Sequence, residues 1–174
     1  MNKTLVIFAH PYFEHSRLNV QLIKAYQNIE HITFRDLYEE YPDFNIAAFR
    51  ERKRLMVYDT LIFHFPMIWF GMPPLLKLWI DEVFDMKWVS EHIASPIDGK
   101  KAYIVLTTGG SSTAFSPQGI YKIPAEDYIN TLIQSLHINN ISVQQIISIY
   151  NAHTSTESEI DHYYQKIKNL VLNS

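Results

Sequence analysis

The chain contains no cysteine, which excludes disulfides, thiolate metal sites, iron–sulfur clusters and thiol catalysis at once. Glycine is scarce: Gly71, Gly99, Gly109, Gly110 and Gly119 are all there is. Neither a G-x-G-x-x-G dinucleotide fingerprint nor a P-loop sequence occurs. No apolar run approaches the roughly 18–20 residues that span a bilayer. Met1-Asn2-Lys3 leads straight into a short apolar run ended by Pro11, which is not the pattern of a signal peptide. An excess of one charge is missing too. Lys+Arg number 15 against Asp+Glu 18, a net −3, too balanced for a nucleic-acid partner or a polybasic membrane binder. These absences predict a soluble, cytoplasmic protein.

What is present points to a packed core. Hydrophobic residues make up 47% and charged residues 19%, which excludes a disordered chain. The length of 174 residues suits one domain spanning 1–174, with no repeat or linker. Aromatic residues are abundant at 14%.

The apolar pattern alternates between two periods. Leu5 to Ala9, Ile32 to Phe34, Thr60 to Phe65, Ala102 to Leu106 and Ile141 to Ile149 are short, β-branched runs that predict strands. Between them lie helical stripes: Leu18 to Ile29, Phe49 to Val57, Pro74 to about Phe84, a helix opened by Pro124, and a last helix from the capping box Thr156-Glu157-Ser158-Glu159. Five strands alternating with five helices predict an α/β fold with one parallel sheet and helices on both faces. Five strands favour the flavodoxin-like order 2-1-3-4-5, whose ligand site lies where strands 1 and 3 diverge.

In that order the loops after strands 1, 3 and 4 share one edge, and these three are the unusual ones. The first runs from His10 to Asn19, with Ser16 as N-cap and Arg17 in the first helical turn. A cation is disfavoured there unless an anion binds the exposed N–H groups, or it is a tolerated surface residue. The second, Pro66 to Pro74, is apolar and aromatic, so it must bury itself against a flat ligand, another subunit or the fold. Helix 74–84 repeats the excess, with Leu75, Leu76, Leu78, Trp79, Ile80, Val83 and Phe84 spread over more than one face. A second subunit or the chain itself could cover the surplus. The third loop opens with Thr107-Thr108-Gly109-Gly110, where adjacent glycines let backbone N–H groups approach a planar ligand. An anion hole, an aromatic platform and an amide edge together suit a phosphorylated flat heterocycle such as FMN.

The other titratable groups read as ordinary. His10 and His15 have no third ligand near them for a metal. His31, His92, His137 and His162 are polar positions, and Asp81-Glu82-Asp85 is a solvated helix edge. His64, in a buried strand, is read as hydrogen-bonded and not catalytic.

At this point the chain resembles a known family, the flavodoxin-like NAD(P)H:quinone oxidoreductases. These include DT-diaphorase, the bacterial modulator-of-drug-activity proteins and the ancillary subunits of glutathione-gated potassium efflux. The matching segments are Ala9-His10-Pro11 with Ser16-x-x-Asn19, Tyr41-Pro42-Asp43-Phe44, Phe65-Pro66-Met67-x-Trp69-Phe70, Pro73-x-Leu75-Leu76-Lys77-x-Trp79-Ile80-Asp81 with Val83-Phe84, Gly99-Lys100, and Thr107-Thr108-Gly109-Gly110.

The resemblance implies that His10, Ser16, Arg17, Leu18 and Asn19 hold the flavin phosphate and ribityl chain. It implies that Pro66, Met67, Ile68, Trp69 and Phe70 line the isoalloxazine, and that Thr107, Thr108, Gly109 and Gly110 bond its polar edge. It further implies a homodimer with the active site at the interface, FMN (FAD in close relatives), and a ping-pong exchange in which NAD(P)H hands a hydride to flavin N5 and a quinone later takes it. Aligned from Gly110, Phe115 and Tyr121 stand where DT-diaphorase has a Tyr and a His. Phe115 cannot donate a proton, and Tyr121 is a weaker acid than His. Tyr121 is thus the candidate catalytic residue, and Phe115 and Tyr121 the candidate substrate contacts. Two other readings stay open: a regulatory subunit bound to a potassium-efflux transporter, and a one-electron flavodoxin carrier, which the glycine-free first loop disfavours.

Overall fold

Five strands form one sheet in the order β2-β1-β3-β4-β5, every pair parallel. The computed structural model describes residues 2–84, 86–87, 95 and 97–172; Asp85 and His92, named above, lie outside them. The strands are β1 (Thr4–Phe8), β2 (Ile32–Asp36), β3 (Thr60–Pro66), β4 (Lys101–Thr107) and β5 (Ser142–Ile149). The helices are α1 (Arg17–Leu22), α2 (Leu37–Glu40), α3 (Ala48–Leu55), α4 (Pro74–Val83), α5 (Asn130–Ile138) and α6 (Glu157–Leu172).

β1 and β3 are buried at every position, because helices cover both faces of a central parallel strand. Their side chains alternate between two cores. Leu5, Ile7, Leu61, Phe63 and Ile104 pack with residues of α2, α3, α4 and α5. Val6, Ile62, Val105 and Ile147 pack with residues of α1 and α6. β2 and β5 are the edges and are partly exposed.

Three local expectations need correction. The first helical stripe is not one helix: α1 ends at Leu22 and tightens into a 3₁₀ turn over Ile23–Tyr26, which carries Tyr26 into the core. The second strand runs two residues beyond Phe34, through Arg35 and Asp36. Both are buried charges, Arg35 against Glu40 and Glu51, and Asp36 as N-cap of α2 accepting from Tyr38 N–H at 2.9 Å. A 3₁₀ turn, Ala125–Ile129, stands between Pro124 and α5.

The surplus apolar character of helix 74–84 is also absorbed within the chain. Leu75, Leu76, Trp79, Ile80 and Val83 are buried, Leu78 is half-buried, and Lys77, Asp81 and Glu82 are exposed. α3 supplies the cover. Trp79 Nε1 donates to Glu51 at 3.1 Å, and Arg52 donates to the carbonyls of Val83 and Glu82 at 2.9 and 2.7 Å, capping the end of α4. No second subunit is needed to explain this helix.

Candidate functional site

The loops leaving β1, β3, β4 and β5 are stitched together by main-chain bonds at the carboxyl edge. Ala9 N–H donates to His64 O, Met67 N–H to Thr107 O, and Thr108 N–H to Ile149 O. Ala152 N–H donates back to Thr108 O, and Asn151 N–H to Gly110 O, both at 3.0 Å. Between them lies a cavity of about 190 Å³. The first loop lines it with His10, Tyr12, His15, Ser16 and Asn19, and the second with Pro66, Met67 and Ile68. Thr107, Thr108 and Gly109 close one side, with Ala152 and His153 from the loop after β5. A larger hollow of about 410 Å³ lies where the chain enters β2, between Ile23 and Phe34, away from the loops that leave β1, β3 and β4.

One hydrogen-bonded line runs from the core to this cavity. Tyr26 hydroxyl and His64 Nδ1 are 3.0 Å apart, and His64 Nε2 lies 2.9 Å from Asn19 Oδ1. Asn19 Nδ2 donates to Ser16 Oγ at 2.9 Å and to Thr107 Oγ1 at 3.3 Å. Ser16 is the N-cap anticipated for α1, its Oγ also accepting from Asn19 N–H at 3.3 Å.

Burial dominates the electrostatics. It drives the His64 imidazole down to about 3 and that of His10 down to about 4, the nearby His153 adding to the latter. His10 Nδ1 accepts from Tyr12 N–H at 3.1 Å, so the neutral ring carries its proton on Nε2. A second cavity of about 280 Å³ shares His10, Tyr12 and His15 with the first and ends on Asp36, Tyr38 and Glu39. Burial raises the Asp36 carboxyl to about 6 despite its bond from Tyr38 N–H.

Nine of the predicted residues therefore line one cavity: His10, Ser16, Asn19, Pro66, Met67, Ile68, Thr107, Thr108 and Gly109. The others sit around it. Arg17 pairs with Glu157 and donates to Ser155 O at 3.3 Å, so the chain itself supplies an anion for this cation. Leu18 is a core residue at the start of α1. Trp69 and Phe70 both adopt left-handed backbone, φ 45° and 62°, in a turn closed by Ile68 and Gly71. Trp69 is 92% exposed. The glycine pair serves the chain's own rings: a Cβ on Gly110 would lie 2.6 Å from the Phe115 ring, and one on Gly109 would lie 3.0 Å from His153. Phe115 is a core residue packed against Tyr121 with the rings tilted and their centroids 4.6 Å apart, and Tyr121 in turn meets Phe70 at 5.1 Å. The sequence reading missed the remaining four wall residues, Tyr12, His15, Ala152 and His153. Asn151-Ala152-His153 directly follows the last strand, and its place at the same sheet edge was the available signal.

A family model described as a flavodoxin-like fold, Flavodoxin_2, matches residues 2–171, and the chain belongs to that family. The chain is similar to a solved structure described as a thermophilic tryptophan halogenase from Streptomycin violaceusniger, with 28% identity, a TM-score of 0.90, and coverage of 98% of this chain and 99% of that one. It is also similar to an NADPH-quinone reductase from P. pentosaceus, at 22% identity and a TM-score of 0.86 over 97% and 96% of the two chains. A third is the general stress protein 14 of Treponema denticola in complex with FMN, at 23% identity and a TM-score of 0.85 over 98% and 96%. Three functional names on one fold leave the function to be argued from the site.

Proposed function

We propose that the protein is a flavin-dependent NAD(P)H:quinone oxidoreductase that binds FMN. The observation that carries this reading is the cavity itself, where polar side chains of the first loop, apolar residues of the second and the Thr-Thr-Gly stretch of the third converge at the strand 1/strand 3 divergence. At about 190 Å³ it suits a phosphate and a polyol chain, and Met67, Ile68 and Thr108 are the residues that would hold a flat ring. The FMN complex of the Treponema denticola stress protein and the name of the P. pentosaceus reductase agree with it.

When bound, FMN supplies the hydride-accepting and hydride-donating chemistry. The chain's residues do the rest. Ser16 and Thr107 offer hydroxyl groups to the phosphate end, and His10 offers Nε2–H as a neutral donor. The half-buried Tyr121 presents its phenol beside Phe70, where NAD(P)H and then a quinone would dock. The reading extends to a homodimer whose contact includes the exposed aromatic rim of Trp69 and Phe70.

The test is direct. The purified protein should be yellow or take up FMN, bleach on addition of NAD(P)H, and recolour with a quinone. Chromatography of the released flavin separates FMN from FAD. A colourless protein that neither FMN nor FAD reconstitutes would overturn the reading.

A further inference from the structure

The line from Tyr26 to Ser16 has a direction, and the buried end sets it. Tyr26 is 2% exposed, and its hydroxyl finds one hydrogen-bond partner among the described residues, His64 Nδ1 at 3.0 Å. A buried hydroxyl hydrogen without an acceptor is strongly disfavoured, so Tyr26 donates and Nδ1 accepts. The neutral ring must then carry its proton on Nε2, which donates to Asn19 Oδ1 at 2.9 Å. With its oxygen facing His64, the Asn19 amide turns both of its hydrogens outward, one to Ser16 Oγ and one to Thr107 Oγ1. Ser16 Oγ also accepts from Asn19 N–H, so both of its lone pairs are occupied. Its own hydrogen is left to donate, and the residue lines the cavity.

The opposite polarity is the instructive alternative. With the Asn19 amide reversed, its oxygen would face Ser16 and Thr107 and draw their hydroxyl hydrogens away from the cavity. His64 would then carry its proton on Nδ1, and Tyr26 would bury a hydrogen with no acceptor. Among the described residues, the choice between the two states falls to Tyr26, three hydrogen bonds from Ser16.

We infer that Tyr26 and His64 are positioning residues that polarise Asn19 so that Ser16 presents a hydroxyl donor, never an acceptor, to an anionic phosphate at the carboxyl-edge cavity. This rests on the flavin reading above for the identity of the phosphate. Neither residue lines the cavity. His64 transmits a direction, and Gln, with an NH2 donor group beside a carbonyl acceptor, is the substitute able to transmit the same one.

Two measurements test it. The first needs no flavin: ¹⁵N NMR of the histidine rings should show His64 as the neutral Nε2–H tautomer across pH 5 to 8. An Nδ1–H tautomer would overturn the inference whatever the protein binds. The second compares FMN with riboflavin, which lacks the phosphate, in titrations of the flavin-free protein. His64→Leu should lower the preference for FMN over riboflavin about tenfold, the scale of one hydrogen bond to a charged group, and His64→Gln should restore most of it. A residue that merely held the fold together would weaken both ligands equally, and an equal loss would overturn the inference. Tyr26→Phe covers the case in which His64→Leu does not fold, with a smaller loss of the same preference expected and an unchanged preference counting against. A wild-type protein that binds neither flavin ends the flavin reading instead, while the tautomer result still stands or falls by itself.

Discussion

Two buried polar assemblies sit on opposite sides of the sheet, and they are built on different principles. On the α3–α4 side, the Glu51 carboxylate is 2% exposed. It accepts from Tyr41 hydroxyl at 2.6 Å and Trp79 Nε1 at 3.1 Å, pairs with Arg54, and lies 3.5 Å from Arg35. On the α1 side, the Tyr26–His64–Asn19 line carries no charge and ends on Ser16 at a cavity. A buried charge must gather donors from every direction, and in doing so Glu51 ties β2, α3 and α4 together. A neutral chain needs one donor and one acceptor per member, so it holds less but passes a direction along. Charge fixes helices; a neutral line orients a site.

Removing the centre of the ionic assembly should have the largest effect. Glu51→Ala leaves Arg35 and Arg54 without their shared partner and opens the space under Trp79. We expect a loss of about 3–5 kcal/mol in denaturant unfolding. The FMN affinity of the fraction that remains folded should hardly change; a parallel collapse of affinity would break the distinction between the two assemblies.

His64→Leu comes next, at about 1–3 kcal/mol, since Tyr26 hydroxyl and Asn19 Oδ1 lose their partner. The same residue shapes the pH dependence. His64 and His10 stay neutral in the folded protein down to about 3 and about 4, whereas unfolded histidines protonate near 6.5. Each contributes stability that is present above about 6.5 and lost as the pH falls towards its folded value. Asp36, raised to about 6, has the opposite sign: its contribution is present below about 4 and lost as the pH rises through 6. Two histidines against one carboxyl predict a Tm that drops from pH 7 to pH 5, and His64→Gln should narrow that drop. An unchanged gap would show that His64 is not the group being titrated.

Smaller effects sharpen the boundary of each assembly. Thr156→Ala removes one half of the capping box, in which Glu159 N–H donates to Thr156 Oγ1 at 3.3 Å and Thr156 N–H to Glu159 Oε2 at 2.7 Å. It should cost about 1 kcal/mol and leave the cavity untouched. Tyr121→Phe should change stability least, because the ring keeps its contact with Phe115. In steady-state assays it should lower quinone turnover with flavin content intact, and unchanged turnover would reduce Tyr121 to a wall residue.

The fold was legible because a parallel sheet announces itself through unbroken apolar runs such as Leu5 to Ala9 and Thr60 to Phe65. Strand order followed from their number and alternation. Much of the site was legible for the same reason, since the ends of β1, β3 and β4 locate three loops before any side chain is placed. The extension of β2 was not, because Arg35 and Asp36 look like surface residues until Glu40, Glu51 and the α2 N-terminus are beside them. Nor was His153, whose loop is distant in sequence and is brought to the others by the Ala152 and Asn151 main-chain bonds.

By itself the sequence determined the parallel sheet, its helical cover, the capping of α1 by Ser16 and of α6 by Thr156, and the meeting of the three loops. All of these depend on residue spacing along a few neighbouring turns or strands. Only the tertiary structure decided that α4 is sealed by α3 rather than left open, that Arg17 is answered by Glu157, and that Tyr26 controls the hydrogen of Ser16. Those outcomes depend on which polar group faces which across separations of 28, 140 and 38 residues in the chain, and periodicity carries no information about such partners.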